Sequence, residues 1–143
     1  MKPAPFAWHG PESVAEAVAV LADHGRDAKV LAGGQSLIPL LAMRIAAPGH
    51  LVDINRIAAL DSVTVTAAGV TVGALARHAR VERDSAANAV QPLLTQALRL
   101  VAHPTIRNRG TTVGSLAHAD PAGEMTAVLA LTGGTVTAAS VRG

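Results

Sequence analysis

Val63-Thr64-Val65-Thr66 and Val70-Thr71-Val72 alternate without interruption around Ala67-Ala68-Gly69. A period of two puts successive side chains on opposite faces, which predicts a β-hairpin with one valine face and one threonine face; the valine face must be covered by the rest of the chain. Residues before Asp61 follow other rules. After an extended Pro3 to Trp8, Pro11-Glu12-Ser13 opens a run in which Val14, Ala17, Val18 and Leu21 fall at helical spacing, closed by Gly25. Ala28-Lys29-Val30-Leu31-Ala32 reads as a short apolar strand stopped by Gly33-Gly34. Ser36 to Ile45 reads as a second helix, ended by Ala47-Pro48-Gly49, and Leu51-Val52-Asp53-Ile54 as a third, buried strand. Strand and helix thus alternate as in a small parallel α/β unit.

We therefore place an N-terminal α/β subdomain at residues 1–57 and a second subdomain at residues 58–143. In the second, the hairpin is followed by helices predicted over Leu75 to Glu82, Pro92 to Ala102 and Pro121 to Leu131. Between the last two, Thr105 to Asp120 is rich in Gly, Thr and Asn and reads as loop or strand, and Thr135-Val136-Thr137-Ala138 as a final strand. Ser140-Val141-Arg142-Gly143 follows it with no capping element, so the sequence reads as a fragment whose second subdomain is incomplete at its C-terminus. The fold class expected is α+β, a small parallel α/β subdomain followed by an incomplete, mainly antiparallel α+β subdomain.

Composition excludes several functions. Half of the 143 residues are apolar and 15% charged, enough to bury a core and unlike a disordered chain. Twelve basic against ten acidic residues leave a formal charge of +2, and Phe6 and Trp8 are the only aromatic rings of their kind, so the clustered cations and stacking platforms of a nucleic-acid binder are missing. With no cysteine, the chain alone can form no disulfide, thiolate nucleophile, cysteine-ligated zinc site or iron–sulfur cluster. No apolar run approaches the roughly eighteen residues of a membrane span. Met1-Lys2-Pro3-Ala4-Pro5-Phe6 places prolines where an export signal needs an unbroken apolar core, so a cytoplasmic protein is expected.

The strongest local signal for chemistry is the strand, glycine turn and helix around Ala32-Gly33-Gly34-Gln35-Ser36. Glycines let a phosphate approach the backbone, and a helix start offers free N–H groups and the positive end of the dipole. Ser36 is the natural N-cap, yet Pro39 lacks the N–H such a cap usually satisfies, which leaves the hydroxyl for a ligand. A turn that merely needs glycine is the plainer alternative. Neither Gly-x-Gly-x-x-Gly nor the Gly-Lys-Ser/Thr phosphate loop is present.

A second constellation runs from Arg107-Asn108-Arg109-Gly110 through Thr111-Thr112-Val113-Gly114-Ser115 to Leu116-Ala117-His118-Ala119-Asp120-Pro121, with Glu124 one turn into the next helix. Small residues and hydroxyls suit a backbone lying close to a polar ligand. By spacing alone, Thr111 and Thr112 serve equally as strand residues, Asp120 as the N-cap of the helix beginning at Pro121, and Glu124 as a surface acid favoured by the dipole. Arg107 and Arg109 suit a phosphate, a protein partner or a solvated loop. His118 and Asp120 face one side only if their segment is a regular strand, and Gly-x-Ser-x-Gly is absent, so no catalytic set is assigned. The six histidines, His9, His24, His50, His78, His103 and His118, are dispersed without ligand spacing, and no metal site is expected from them.

The two glycine-containing motifs together carry a resemblance. Ala32-Gly33-Gly34-Gln35-Ser36-Leu37, followed about seventy-five residues later by Ile106-Arg107-Asn108-Arg109-Gly110-Thr111 and Gly114-Ser115-Leu116-Ala117-His118-Ala119-Asp120-Pro121, resembles the FAD-binding medium subunit of molybdenum hydroxylases. This is the carbon monoxide, xanthine and aldehyde dehydrogenase type, with a PCMH-type, vanillyl-alcohol-oxidase-like FAD fold. The resemblance covers the whole chain. It implies a two-subdomain FAD site with the pyrophosphate cradled by the two loops: Ala32, Gly33, Gly34, Gln35 and Ser36 in the first, Thr111, Thr112, Val113, Gly114 and Ser115 in the second, and Glu124 at an acidic position that contacts the cofactor. It also implies an oxidoreductase subunit that takes electrons from iron–sulfur clusters through FAD to an acceptor. The partners would be a molybdopterin-binding large subunit, which selects the substrate, and a 2Fe–2S small subunit.

Two departures stand out. The family pattern Thr-Ile-Gly-Gly-Asn reads here Thr111-Thr112-Val113-Gly114-Ser115, and a β-branched Val113 dislikes positive φ and adds bulk beside a phosphate. The family's chains also continue further, with the rest of the second subdomain and a C-terminal domain that helps cover the flavin ring. The alternative is therefore a docking module of the same type of complex that has lost its cofactor.

Overall fold

A computed structural model describes residues 2–142. Met1, part of the leader reading, and Gly143, part of the interrupted end, lie outside the described residues. The chain divides into two compact units, one formed by the residues up to Ala58 together with those from Thr137 onward, the other by Ala59–Val136. Parallel and antiparallel sheets occur together with helices, an α+β architecture.

The first unit is built on a three-stranded parallel sheet. Its strands are β1 (Ala7–His9), β2 (Ala28–Leu31) and β3 (His50–Asp53), in the order β1-β3-β2. Helix α1 (Val14–His24) joins β1 to β2, and α2 (Leu37–Ala42) lies between β2 and β3. Helix α1 begins where Ser13 accepts from the Glu16 N–H and ends at Gly25, whose φ of +52° suits a residue without Cβ. The central strand carries the burial: Leu51 and Val52, on opposite faces, are both buried, so both faces of the sheet are covered there. Each such side chain contributes about 1.5–3 kcal/mol through removal from water. Ala17, Ala28, Leu41, Ile54 and Ile57 complete this core.

The second unit packs the hairpin, β4 (Val63–Thr66) and β5 (Gly69–Val72), against six helices: α3 (His78–Arg83), α4 (Ser85–Val90), α5 (Pro92–Leu100), α6 (Pro104–Arg107), α7 (Thr112–His118) and α8 (Glu124–Thr132). Its core is Ala76, Val81, Leu94, Ala97, Leu98, Met125 and Val128, and Val63, Val70 and Val72 press onto it from the valine face. Thr64, Thr66 and Thr71 face solvent.

Four expectations require correction. Thr105 to Asp120 is neither loop nor strand for most of its length, because it folds into α6 and α7; Thr111 alone keeps an extended contact, an isolated bridge to Arg77. Asp120 does not cap the following helix. Its Oδ1 accepts from the Ala122 N–H at 2.9 Å, closing a turn, and α8 starts later, with Gly123 as a cap that makes no side-chain bond. Thr135 to Ala138 forms no strand, since Val136 is exposed and no strand pairs with the segment. Finally, α2 spans six residues, Leu37 to Ala42, rather than Ser36 to Ile45, and the chain leaves it through Arg44 at a positive φ of 56°. Among the described residues no helix is long and apolar enough to cross a membrane.

Candidate functional site

In parallel α/β units ligands bind beyond the carboxyl ends of the strands. Ala32 to Ser36 occupy that position after β2. Gly34 has φ +74°, and a Cβ there would lie 2.9 Å from Ile38 Cγ1 and 3.1 Å from Leu31 Cδ1, so conformation and space both demand glycine. The loop is held from both sides. The Gln35 side-chain amide donates to the Gly33 carbonyl at 3.0 Å, and Asn55 Nδ2, itself bonded to Asp53 at the end of β3, donates to the Ala32 carbonyl at 2.9 Å. Ser36 is exposed and makes no side-chain cap, as Pro39 dictates. With only six residues in α2, its macrodipole is short, and the loop's polar backbone matters more than the helix behind it.

In the second unit Thr111, buried, is the N-cap of α7: its Oγ1 accepts from the Gly114 N–H at 3.1 Å. A Cβ on Gly114 would lie 2.4 Å from that same oxygen, so the glycine exists for the cap. Thr112, also buried, lies 3.3 Å from His78 Nδ1 through its hydroxyl. Both threonine side chains are thus committed to the fold. Val113 sits within the first turn of α7 and is not among the residues of positive φ. The conformational objection to a β-branched residue at that position does not apply.

Glu124 opens α8, half-buried. Together with Arg107 it acts on His78, which is only 4% exposed. Burial pushes the His78 pKa down to about 4, opposed by Glu124 and aided by Arg107. Arg107 is no ligand-seeking side chain: its Nε donates to Glu82 Oε2 at 2.8 Å and its Nη1 to the Val101 carbonyl at 3.1 Å, with little exposure of either ion. The Arg109 carbonyl accepts from the Arg77 guanidinium. His118 ends α7, exposed, while the carboxylate of Asp120 is engaged by Ala122.

Three of the histidines dispersed in sequence are neighbours in the fold. His9, His24 and His50 come together at the first unit's sheet, each partly buried, with one ring nitrogen apiece within 4.8 Å of the others. Neither spacing nor motif signals this; the register of the parallel strands places His9 and His50, and the end of α1 brings in His24.

The sequence matches the family described as the FAD binding domain in molybdopterin dehydrogenase over residues 4–143. The chain belongs to that family. Among its relatives, 6-hydroxypseudooxynicotine dehydrogenase complex subunit alpha of Paenarthrobacter nicotinovorans is 46% identical over 143 residues, covering 100% of this chain and 48% of the relative. The carbon monoxide dehydrogenase medium chain of Hydrogenophaga pseudoflava is 45% identical over 121 residues, 85% of this chain and 42% of its own. The solved structure of the Hydrogenophaga pseudoflava carbon monoxide dehydrogenase that lacks the Mo-pyranopterin moiety superposes with a TM-score of 0.86 at 44% identity, covering 90% of this chain and 45% of that one. Quinoline 2-oxidoreductase from Pseudomonas putida 86 gives a TM-score of 0.82 at 44% identity, over 87% and 44% of the two chains. The chain spans about half the length of the curated relatives it matches.

The family's cofactor is FAD, and the donor chemistry of this chain fits it. Ala32 to Ser36 and Thr111 to Ser115 contain no carboxylate, only backbone amides, hydroxyls and one carboxamide, groups that hydrogen-bond to phosphate oxygens without repelling them. Gly34 keeps the first loop free of a side chain that its packing would not accept.

Proposed function

We propose that this chain is the FAD-binding part of a medium subunit in a cytoplasmic molybdopterin-dependent dehydrogenase, an oxidoreductase that passes electrons from iron–sulfur clusters on a small subunit through FAD to an acceptor. Its other partner is a molybdopterin-binding large subunit, where the substrate is oxidised. The observation that carries this reading is the family match across residues 4–143, which includes both glycine-containing loops. FAD supplies the electron relay. The protein's share is to bind and orient it: Ala32, Gly33, Gly34, Gln35 and Ser36 offer phosphate contacts from the first unit, and Thr111, Thr112, Val113, Gly114 and Ser115 from the second. The side chains of Thr111 and Thr112 are engaged within the fold, and the Thr112 N–H donates to the Ala76 carbonyl. Glu124 accepts hydrogen bonds and would repel a phosphate, so its place is at hydroxyls of the cofactor. The subdomain division we propose is 1–57 and 58–143, with the segment from Thr137 onward returning to the compact unit of the first.

The test is a visible absorption titration of the purified chain with FAD beside its Gly34→Trp variant. Saturable uptake that the variant loses supports the reading. No uptake by a chain that circular dichroism finds folded favours the alternative, a docking module without cofactor.

A further inference from the structure

We propose that His9, His24 and His50 form a binding site for a borderline divalent metal ion, Zn2+ in the first instance, independent of the flavin loops. Three rigid elements deliver the ligands. His9 ends β1, His50 begins β3, and His24 is the last residue of α1. In the parallel register Ala7 lies opposite His50 and His9 opposite Val52, so His9 and His50 share one face of the sheet on a diagonal. The start of β3 is pinned on both sides of Gly49, whose N–H donates to Asp27 Oδ1 and whose carbonyl accepts from Ala7 N–H, both at 2.8 Å.

The three rings are already in contact. His9 Nε2 and His50 Nδ1 are 2.9 Å apart, and the His24 ring stacks on His50 with centroids 3.5 Å apart and planes 11° from parallel. At Zn–N distances of about 2.0–2.1 Å, two ligands of a tetrahedral ion sit about 3.3 Å apart. The His9–His50 pair therefore needs to open only slightly, its shared hydrogen bond giving way to two lone pairs on one ion. His24 has to turn out of its stack so that its ring plane contains the metal; its ligand nitrogen starts within 4.8 Å of the others. Three neutral imidazoles suit Zn2+, Cu2+ or Ni2+ and not Mg2+ or Ca2+, which require oxygen. The ion's charge falls at the negative end of α1, where the dipole favours a cation. A fourth position stays open to water. Bound there, the ion would staple the edge strand β1 to β3 and to the end of α1.

The experiment is a Co2+ titration of the full chain, read from the visible d–d absorption, with Zn2+ competition and thermal melts with and without Zn2+. Expected are one equivalent bound per chain, displacement by Zn2+, and a melting temperature that rises with Zn2+. His24→Gln should weaken binding at least tenfold, and His9→Gln/His24→Gln/His50→Gln should abolish it, while His118→Gln leaves it unchanged. Uptake that persists in the triple variant, or that the His118 variant removes, overturns the site, as does absence of saturable uptake by the folded wild-type chain. His24 lies at a helix end and is partly exposed, so its variant remains folded and informative, and its flavin uptake serves as an independent control.

Discussion

His78 ties burial to pH. Its imidazole, 4% exposed and touching Thr112, is held neutral, with burial lowering its pKa to about 4 from an ordinary 6.5. The unfolded chain takes up the proton first as pH falls, so the native state loses stability from about pH 6.5 down to about pH 4, below which both states are protonated. The total is about 3 kcal/mol at most. Urea unfolding at successive pH values should show this slope, and His78→Gln should flatten it; a slope equal in both chains would remove the assignment. Gly110 belongs to the same arrangement, since a Cβ on it would lie 2.8 Å from His78 Cδ2. Thr95 presents a different case: its buried hydroxyl has no hydrogen-bond partner among the described residues, and nothing in the structure explains why threonine stands there.

Among the elements, α6 is tied down by a largely buried ion pair. Arg107 ties it to Glu82 on α3 and to the carbonyls of Val101 and Ala102, with both ions mostly screened from water. Arg107→Ala leaves Glu82 unpaired and should cost about 3 kcal/mol, measured by denaturant midpoint; Arg107→Lys should recover only part of it, having one donor point in place of a fork. None of this was legible in advance. Helices with long apolar periods and clear ends, such as α1 and α5, and the hairpin with its strict alternation, were readable because a single local pattern decides each. Helices α6 and α7 were not, because Gly, Thr and Asn argue against helix locally and the stabilising partners, Glu82 and Ala76, lie far away in sequence. The short α4 was missed although Asp84 caps it by accepting from the Ala87 N–H. The expected strand at Thr135 failed for the opposite reason, a favourable local pattern with no sheet to join. The two glycine loops were legible as motifs, and the positive φ of Gly34 with its contacts to Ile38 and Leu31 shows that the turn needs glycine for its own packing. The histidine trio was invisible, because strand register and the packing of the end of α1 are tertiary facts.

At the scale of the whole molecule, two units of different construction lie along one chain: a second unit made largely of helices close in sequence, and a first made of strands far apart. In the first, among the described residues β1 and β2 are not paired with each other, and each pairs as a strand with β3 alone. Val52→Pro, which removes a central N–H, should therefore abolish hydrogen-exchange protection in β1 and β2 together, whereas Val30→Pro on the edge should affect β2 alone. If β1 kept its protection in the Val52 variant, the ladder order would be wrong. The same order sets a schedule for synthesis. The first two strands precede their shared mate in the chain, and neither has a paired neighbour until His50–Asp53 is made. The glycine loop after β2 likewise depends on a later residue, since Asn55, just past β3, clasps the Ala32 carbonyl.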